Sequence, residues 1–303
     1  MSYEGGPSRE ERSLDSGPYV LYEVTNGVAH LTLNRPERRN GLGFDLIKDL
    51  EVAVQRADDD DAVKVLLLQA NGPSFCGGYD VTGLTPVNSP PFDPESDVDP
   101  GWDRLNDTLY TMRRDGEFWL RLFWNLRKPV VAAVHGACLA GGVDLIGAVD
   151  IVIVADDARI GLPQARALGV IHTMGLLPYY IGIRKSKEMA FTGDPISGLD
   201  AERLGLANKS VPGDKLEAEA TWLAERIALV PRQLLLAHKF AINRFAEEAG
   251  LEGAVRASGE YDAIGAQNWM NAKFRYLSKT EGVKAAAKWR DAIWKDQEAS
   301  KPS

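Results

Sequence analysis

The chain has 303 residues, of which 45% are hydrophobic and 26% are charged, the balance of an ordinary globular protein. Its net charge of −8 argues against binding to nucleic acid or to anionic membranes. Two cysteines, Cys76 and Cys138, are too few for a disulfide framework and predict a reducing compartment, which we take to be the cytoplasm.

The first quarter of the chain predicts a hairpin, a helix and a buried strand. Residues 1–17 are polar and carry no apolar signal segment, so we expect a disordered tail and no secretory signal. An alternating stretch around Asn26-Gly27 predicts a β-hairpin. Apolar residues at helical spacing predict an amphipathic helix over 43–61, and the apolar run 62–72 predicts a buried strand.

The remainder of the chain predicts an α/β core followed by helices. The proline-rich segment 85–101 predicts an exposed loop. Two more buried strands are expected within 129–136 and 150–157, separated by a glycine-rich turn and a short helix. Helical patterns dominate after that region, so we expect a core over 18–215 and a helical C-terminal region over 216–303. No run of 18 apolar residues occurs, which predicts no membrane span.

Two glycine-rich turns stand out once the common catalytic motifs are excluded. The chain has no nucleophile elbow, phosphate loop, dinucleotide fingerprint or zinc helix, and its four histidines lack ligand spacing, so we predict no metal site. The turns "SFCGGYD" (74–80) and "LAGGVD" (139–144) each follow a strand. Glycine lets backbone N–H groups approach a ligand closely, so two such turns could aim two donors at one carbonyl oxygen. The alternative is that both turns only connect strands.

Several ordered segments over residues 29–212 resemble the crotonase (enoyl-CoA hydratase/isomerase) superfamily. The resemblance is carried by "LTLNRPERRNGL", "VKVLLLQANGPSFCGGYDVTGL", "KPVVAAVHGACLAGGVDLIGAVDIVIVADDARIGLPQARALG" and "FTGDPISGLDAERLGLANKSVP". It implies an α/β fold, a crotonase-like spiral of ββα units with an α-helical C-terminal trimerisation region. It is strong for the superfamily and weak for the reaction, because this fold also hosts dehalogenases, thioesterases and C–C hydrolases.

The resemblance implies an acyl-CoA thioester whose carbonyl oxygen lies between the peptide N–H groups of Tyr79 and Gly141. Tyr79 replaces the small residue that is usual in hydratases, so its side chain either narrows the pocket or packs on the neighbouring turn. Asp144 aligns with the first catalytic glutamate of hydratases and with the catalytic aspartate of dienoyl-CoA isomerases. Its role is acid–base catalysis or, alternatively, capping of its own helix.

The second acid of the superfamily is missing. Its position aligns with Gln164 or, one residue on, with Ala165, and neither side chain can exchange a proton with a substrate. Some isomerases use an acid a few residues later, which falls here at Thr173. His172 lies beside it and is either a second acid–base group or a packed histidine.

Coenzyme A contacts are also carried over by resemblance. The turn at 76–81 is expected to meet the adenine, and the terminal "EGVKAAAKWR" is expected to meet the phosphates, or else to be a solvated helix face. We expect no cofactor besides the coenzyme A thioester, which is the substrate. We also expect a homotrimer or a dimer of trimers. The candidate residues for coenzyme A are Cys76, Gly77, Asp80, Val81, Lys288 and Arg290.

Four other features are interpreted as follows, two of them with alternatives left open. The segment 82–127 is longer than in short crotonases, and its aromatic residues either cover the acyl pocket or form helix core, which we favour. Arg166 either lines the pocket or pairs with an acid such as Asp144. Asp150 is interpreted as structural, and Asp80 is expected to close its loop.

Taken with the residues, the resemblance predicts an enoyl-CoA hydratase/isomerase-type enzyme with one catalytic aspartate. Isomerisation is favoured by the missing acid, whereas hydration is favoured by its frequency in the superfamily. Two alternatives remain: a C–C or thioester hydrolase of the same fold, and a non-catalytic acyl-CoA binder.

Overall fold

The predicted hairpin opens the described part of the chain. The structure, a computed structural model, describes residues 18–80, 117–171 and 173–298. Asn26 and Gly27 have φ angles of 52° and 79°, as a two-residue hairpin turn of this type requires. The predicted tail (1–17) and residues 82–116 of the predicted covering segment lie outside the described residues.

The described elements alternate between strands and helices and end in a helical region. The strands are β1 (Val20–Thr25), β2 (Val28–Leu33), β3 (Val65–Ala70), β4 (Val130–Val134), β5 (Ala137–Leu139), β6 (Ile151–Ala155), β7 (Arg159–Gly161), β8 (Ile196–Ser197) and β9 (Lys209–Val211). The α-helices are α1 (Phe44–Asp59), α2 (Gly141–Ala148), α3 (Leu177–Thr192), α4 (Gly198–Leu204), α5 (Leu216–Ala228), α6 (Arg232–Glu248), α7 (Leu251–Gly265), α8 (Trp269–Thr280) and α9 (Val283–Glu298). No helix within the described ranges is long and apolar enough to cross a bilayer.

The strands form two sheets. The larger has the order β1-β2-β3-β4-β6-β9, antiparallel between β1 and β2 and parallel elsewhere. The middle strands read as continuous apolar runs because both faces of a covered parallel sheet are buried, and all five residues of β4 are buried. The smaller sheet has the order β5-β7-β8. The α/β prediction is confirmed.

Helices on both sides of the predicted boundary at 216 share one core. The apolar stripe of α1, which includes Leu46 and Leu50, is fully buried, and each such leucine contributes about 1.5–3 kcal/mol. In α5, Ala220 and Ala224 are also fully buried and belong to the same hydrophobic cluster as the main sheet. The first helix of the C-terminal region thus shares the hydrophobic core of the main sheet. The division of the chain into two regions at residue 216 stays a prediction.

A buried ion pair joins the helical region to the main sheet. Lys239 of α6 donates to Asp150 Oδ2 at 2.8 Å and to the Phe123 carbonyl oxygen at 2.7 Å. Burial lowers the pKa of Lys239, and the charge of Asp150 opposes that shift. Asp150 Oδ2 also accepts from the Val130 N–H at 2.7 Å. These contacts agree with the structural interpretation of Asp150.

The two glycine-rich turns interlock between the sheets. Cys76 and Cys138 form a parallel β-bridge, in which the Cys76 N–H donates to Ala137 O and the Leu139 N–H donates to Cys76 O. Gly78 has a φ of +103°, and a Cβ placed on it would lie 2.9 Å from Ala140 Cβ and 3.1 Å from Leu139 O. Glycine is therefore required at position 78 both by the backbone angle and by the close approach of the second turn.

The change Gly78→Ala is expected to lower the free energy of unfolding by about 2–4 kcal/mol, from backbone strain plus overpacking. The matched control is Gly253→Ala. Gly253 lies inside α7, and a Cβ added there would have no neighbour within 4 Å, so alanine should stabilise that helix by about 0.5–1 kcal/mol. Denaturant unfolding at one fixed protein concentration measures both. Equal effects at the two positions would contradict the interlock.

Candidate active site

The first turn of α2 presents a backbone N–H group. Ala140, immediately before the helix, is held at φ 50° and ψ −113°, an unfavourable conformation for a residue with a Cβ. Its N–H donates to Gly161 O at 3.0 Å. The next N–H, that of Gly141, donates to no acceptor among the described residues. It therefore lies at the positive end of the helix, where it can bind a negatively charged oxygen.

The Tyr79 peptide lies on the adjacent turn. Leu42 forms a parallel bridge with Tyr79, in which the Leu42 N–H donates to Gly78 O at 2.9 Å and the Asp80 N–H donates to Leu42 O at 3.1 Å. In such a bridge the N–H of the middle residue points away from its partner strand. A Cβ on Gly78 would lie 3.7 Å from the Gly141 nitrogen. The structure thus places the two sequence-predicted donors, Tyr79 and Gly141, on neighbouring turns.

Asp144 is fully buried one helical turn after Gly141. Its Oδ1 accepts from the Thr173 N–H and from the Thr173 hydroxyl, each at 2.7 Å. Its Oδ2 accepts from the Tyr79 hydroxyl at 2.9 Å. All three donors come from outside α2, which argues against the helix-capping role. A buried carboxylate needs such partners, because its desolvation is otherwise costly.

The Tyr79 side chain is itself held by a tryptophan. The Trp119 indole N–H donates to Tyr79 Oη at 2.7 Å. Trp119 is 1% exposed and stacks on Phe123, with ring centroids 6.3 Å apart. Trp119 and Phe123 therefore belong to the hydrophobic core, as favoured from the sequence. Trp119 also hydrogen-bonds to Tyr79 of the candidate site. The sequence reasoning missed this contact, although a buried indole N–H usually needs an acceptor.

The residues considered for a second acid lie in different surroundings. Gln164 is buried, and neither its Nε2 nor its Oε1 has a hydrogen-bond partner among the described residues. Thr173, at the position where some isomerases have an acid, contacts Asp144 instead. His172 lies outside the described residues. In the described ranges no three His, Cys, Asp or Glu side chains gather as metal ligands.

The two cysteine thiols are buried and unpaired with each other in a disulfide. Burial raises the pKa of the Cys76 thiol to about 12, and the nearby charge of Asp144 adds to the shift. Burial also raises the pKa of Cys138. A nucleophilic cysteine requires the thiolate, so neither residue supplies a nucleophile at neutral pH.

Arg166 binds other acids than Asp144. Its guanidinium binds Asp194 at 2.5 Å and Asp291 at 3.3 Å, and so ties the Pro163–Arg166 turn to α9. It also lines a cavity of about 500 Å³ beside Phe191 and Trp269. Arg166 therefore pairs with acids, as one alternative held, although with Asp194 and Asp291 instead of Asp144. The lining of this cavity does not include Tyr79, Gly141 or Asp144, so the substrate-pocket alternative for Arg166 stays a prediction.

The residues of the 76–81 turn that are predicted to contact coenzyme A differ in their structural surroundings. The N–H groups of Cys76 and Gly77 donate inside the fold, to Ala137 O and Arg39 O, and Asp80 pairs with Arg35 at 3.0 Å. The latter contact agrees with the loop-closing role. Val81 lies outside the described residues. Binding of this turn to adenine stays a prediction.

The basic candidates near the C-terminus differ in their surroundings. Arg290 is 8% exposed, and its guanidinium binds Asp291 at 2.8 Å and 2.9 Å. Lys288 lies two residues earlier on α9 and is more exposed than Arg290. The guanidinium of Arg290 is thus engaged within the chain, and phosphate binding by Lys288 or Arg290 stays a prediction.

Comparison with known proteins agrees with this geometry. The sequence model of the family "Enoyl-CoA hydratase/isomerase" matches residues 23–297. A peroxisomal Delta(3,5)-Delta(2,4)-dienoyl-CoA isomerase of Arabidopsis thaliana is 33% identical over 69% of this chain and 74% of its own length.

Solved structures extend the likeness to nearly the whole chain. An enoyl-CoA hydratase from Mycobacterium smegmatis aligns with a TM-score of 0.82 and 32% identity, covering 93% of this chain and 96% of that one. An enoyl-CoA hydratase/isomerase from Xanthobacter autotrophicus Py2 aligns with a TM-score of 0.78 and 31% identity, covering 91% and 98%. The chain therefore belongs to the enoyl-CoA hydratase/isomerase family.

Proposed function

We propose that this protein is an enzyme that moves a double bond in an acyl-CoA thioester through an enolate. The observation that carries the proposal is the placement of Asp144. Its buried carboxylate lies on the first turn of the helix that begins with the Gly141 N–H, beside the turn of Tyr79. One helix end thus supplies an oxyanion donor and an acid–base group.

The proposed reaction needs one proton carrier. Asp144 takes a proton from the α-carbon of a 3-enoyl thioester, and the electron pair of that C–H bond moves onto the thioester oxygen to form a dienolate. The N–H groups of Gly141 and Tyr79 stabilise that oxyanion; one such donor typically contributes about 3 kcal/mol. Asp144 then delivers the proton to the γ-carbon, the double bond forms between the α- and β-carbons, and the thioester carbonyl is restored without water.

Gln164 favours isomerisation over hydration. Syn-hydration as usually drawn uses two carboxylates, one to position water and one to transfer a proton. An amide can hydrogen-bond to water but cannot exchange a proton at neutral pH. The likeness to a dienoyl-CoA isomerase agrees with this choice, while the hydratase relatives keep hydration as the second candidate.

We also propose a homotrimer or a dimer of trimers that buries apolar side chains of the helical region. Ile242 and Phe245 lie three residues apart on α6 and are 71% and 76% exposed in the single chain. Ile264 on α7 is 56% exposed. Apolar exposure of this kind on consecutive helices is typical of an interface between subunits.

The change Asp144→Asn is expected to reduce α-proton exchange of butyryl-CoA in deuterated water by at least about 100-fold, because the amide cannot carry the proton. Mass spectrometry follows the exchange, and calorimetry should show unchanged binding. The control is Asp157→Asn, which alters an exposed acid. Binding without exchange in the unmodified protein would indicate a non-catalytic binder.

The change Gln164→Glu is expected to raise hydration of crotonyl-CoA by at least about 10-fold, because it supplies the missing carboxylate. The matched control is Gln233→Glu, the same change at an exposed position of α6, which should have little effect on hydration. Loss of enoyl-thioester absorbance measures hydration. Rapid hydration by the unmodified protein, faster than its isomerisation of a 3-enoyl-CoA, would reject the isomerase assignment.

The double change Ile242→Asp and Phe245→Asp is expected to convert the oligomer into smaller species, because it places two charges in the proposed interface. Light scattering coupled to size-exclusion chromatography measures the mass. The control is Leu199→Asp on α4, where an exposed leucine lies outside the helical region. An unchanged mass in the double variant would contradict the proposed interface.

A further inference from the structure

A directed chain of hydrogen bonds ends on Asp144. The Trp119 indole donates to Tyr79 Oη at 2.7 Å, and the Tyr79 hydroxyl donates to Asp144 Oδ2 at 2.9 Å. From the other side, Thr173 donates twice to Oδ1. The chain links three parts of the sequence, at 79, 119 and 173, to one carboxylate.

The direction of this chain is set by what each group can do. An indole N–H can only donate, and an ionised carboxylate can only accept. Tyr79 must therefore accept from Trp119 and donate to Asp144. The Thr173 backbone N–H can also only donate.

A proton on Asp144 would break this pattern at either oxygen. On Oδ1 it would face the Thr173 N–H, and on Oδ2 it would face the Tyr79 hydroxyl, which would have to turn away. Each hydrogen bond to a charged group favours the charged form of its acceptor. Protonation of Asp144 therefore loses contacts that the ionised carboxylate makes.

We propose that Tyr79 is a positioning residue, whose hydroxyl, aimed by Trp119, holds the Asp144 carboxylate ionised and oriented as the base. This rests on the proposed function. The same contacts favour transfer of the proton from Asp144 back to the substrate. Protonated Asp144 lacks hydrogen bonds that the ionised carboxylate makes again once the proton has left. Return of the proton is the second half of a double-bond shift.

The ring of Tyr79 has a separate packing role. A Cβ on Gly141 would lie 2.8 Å from Tyr79 Cε2, so the ring lies against the start of α2. Phenylalanine keeps that ring and the backbone N–H while removing only the hydroxyl. Tyr79→Phe therefore separates the hydrogen bond from the packing.

The titratable groups that face Asp144 come from the elements packed against α2. Among the described residues the charge of Asp144 acts on the Cys76 thiol, which stays neutral because burial raises its pKa to about 12. Tyr79 is the ionisable group that the 74–80 turn places in contact with the carboxylate, and Thr173 does not titrate. His172, next to Thr173 in sequence, is tested by a His172→Gln background.

The test is the pH dependence of α-proton exchange on butyryl-CoA. In Tyr79→Phe we expect the midpoint of the acid limb to rise by about one pH unit, and the plateau rate to fall by less than about 10-fold, because the backbone N–H that stabilises the oxyanion is retained. Trp119→Phe should shift the midpoint in the same direction by less. The upward shift should persist when His172→Gln is added to Tyr79→Phe.

The matched control is Tyr180→Phe. The Tyr180 hydroxyl donates to Gly147 O of the same helix at 2.9 Å, so this variant removes a phenol bonded to α2 but not to Asp144. Its midpoint should stay unchanged. A midpoint in Tyr79→Phe that equals that of the unmodified protein would overturn the proposal, as would a 100-fold loss of plateau rate, which would make the phenol itself the proton carrier.

A second readout does not use activity. The ultraviolet absorbance of tyrosine ionisation, taken as the difference between the unmodified protein and Tyr79→Phe, follows Tyr79 alone. In Asp144→Asn, Tyr79 should ionise at lower pH, because the adjacent negative charge is gone. If the unmodified protein shows no exchange, the proposed function fails, and this titration alone decides whether Tyr79 contacts an ionised Asp144: a downward shift supports the contact, and no shift overturns it.

Discussion

A buried carboxyl group is the constraint on which the rest of this site depends. Asp144 has no solvent exposure, and a carboxylate removed from water is stable only when donors replace the lost hydration. Its donors Tyr79 and Thr173 belong to segments that are 65 and 29 residues away along the chain. The turn at 74–80 and the segment that carries Thr173 must therefore both dock on α2. The hydrogen bonds to Asp144 are therefore complete only when both segments have docked on α2.

The close approach of the two docked segments explains why α2 contains glycines. A Cβ at Gly142 would lie 3.0 Å from Cys76 O, and one at Gly147 would lie 3.1 Å from Thr173 Oγ1. Glycine costs about 1 kcal/mol per residue in a helix interior relative to alanine, so "GGVDLIGA" is a poor helix by propensity. Tertiary contacts on both sides of the helix outweigh that cost. The predicted short helix after the glycine-rich turn is present, and every residue in it is buried.

The sequence predicted the elements that show a hydrophobic periodicity or a turn signal. It did not predict the short strand or the side-chain contact that show neither. The hairpin at Asn26-Gly27, the helix α1 and the apolar parallel strands were read correctly from local pattern. Strand β5 has three residues, too few to show an alternation. The bond between Trp119 and Tyr79 joins two side chains 40 residues apart, and no local rule reports such a pair. The resemblance supplied Gly141 and Asp144, but it could not supply the partners that hold them.

The two polar groups singled out by resemblance differ in a way that bears on chemistry. Asp144 is buried and hydrogen-bonded, whereas Gln164 is neutral, buried and unpaired among the described residues. A buried polar group without a partner costs about 1–3 kcal/mol, so the Gln164 amide does not stabilise the described fold by hydrogen bonding. The fold therefore supplies hydrogen-bond donors to the Asp144 carboxylate, which can carry a proton. Among the described residues it supplies no partner to the Gln164 amide, which cannot. In the proposed function, Asp144 moves one proton between two carbons, and the amide at position 164 supplies no second proton carrier for the addition of water.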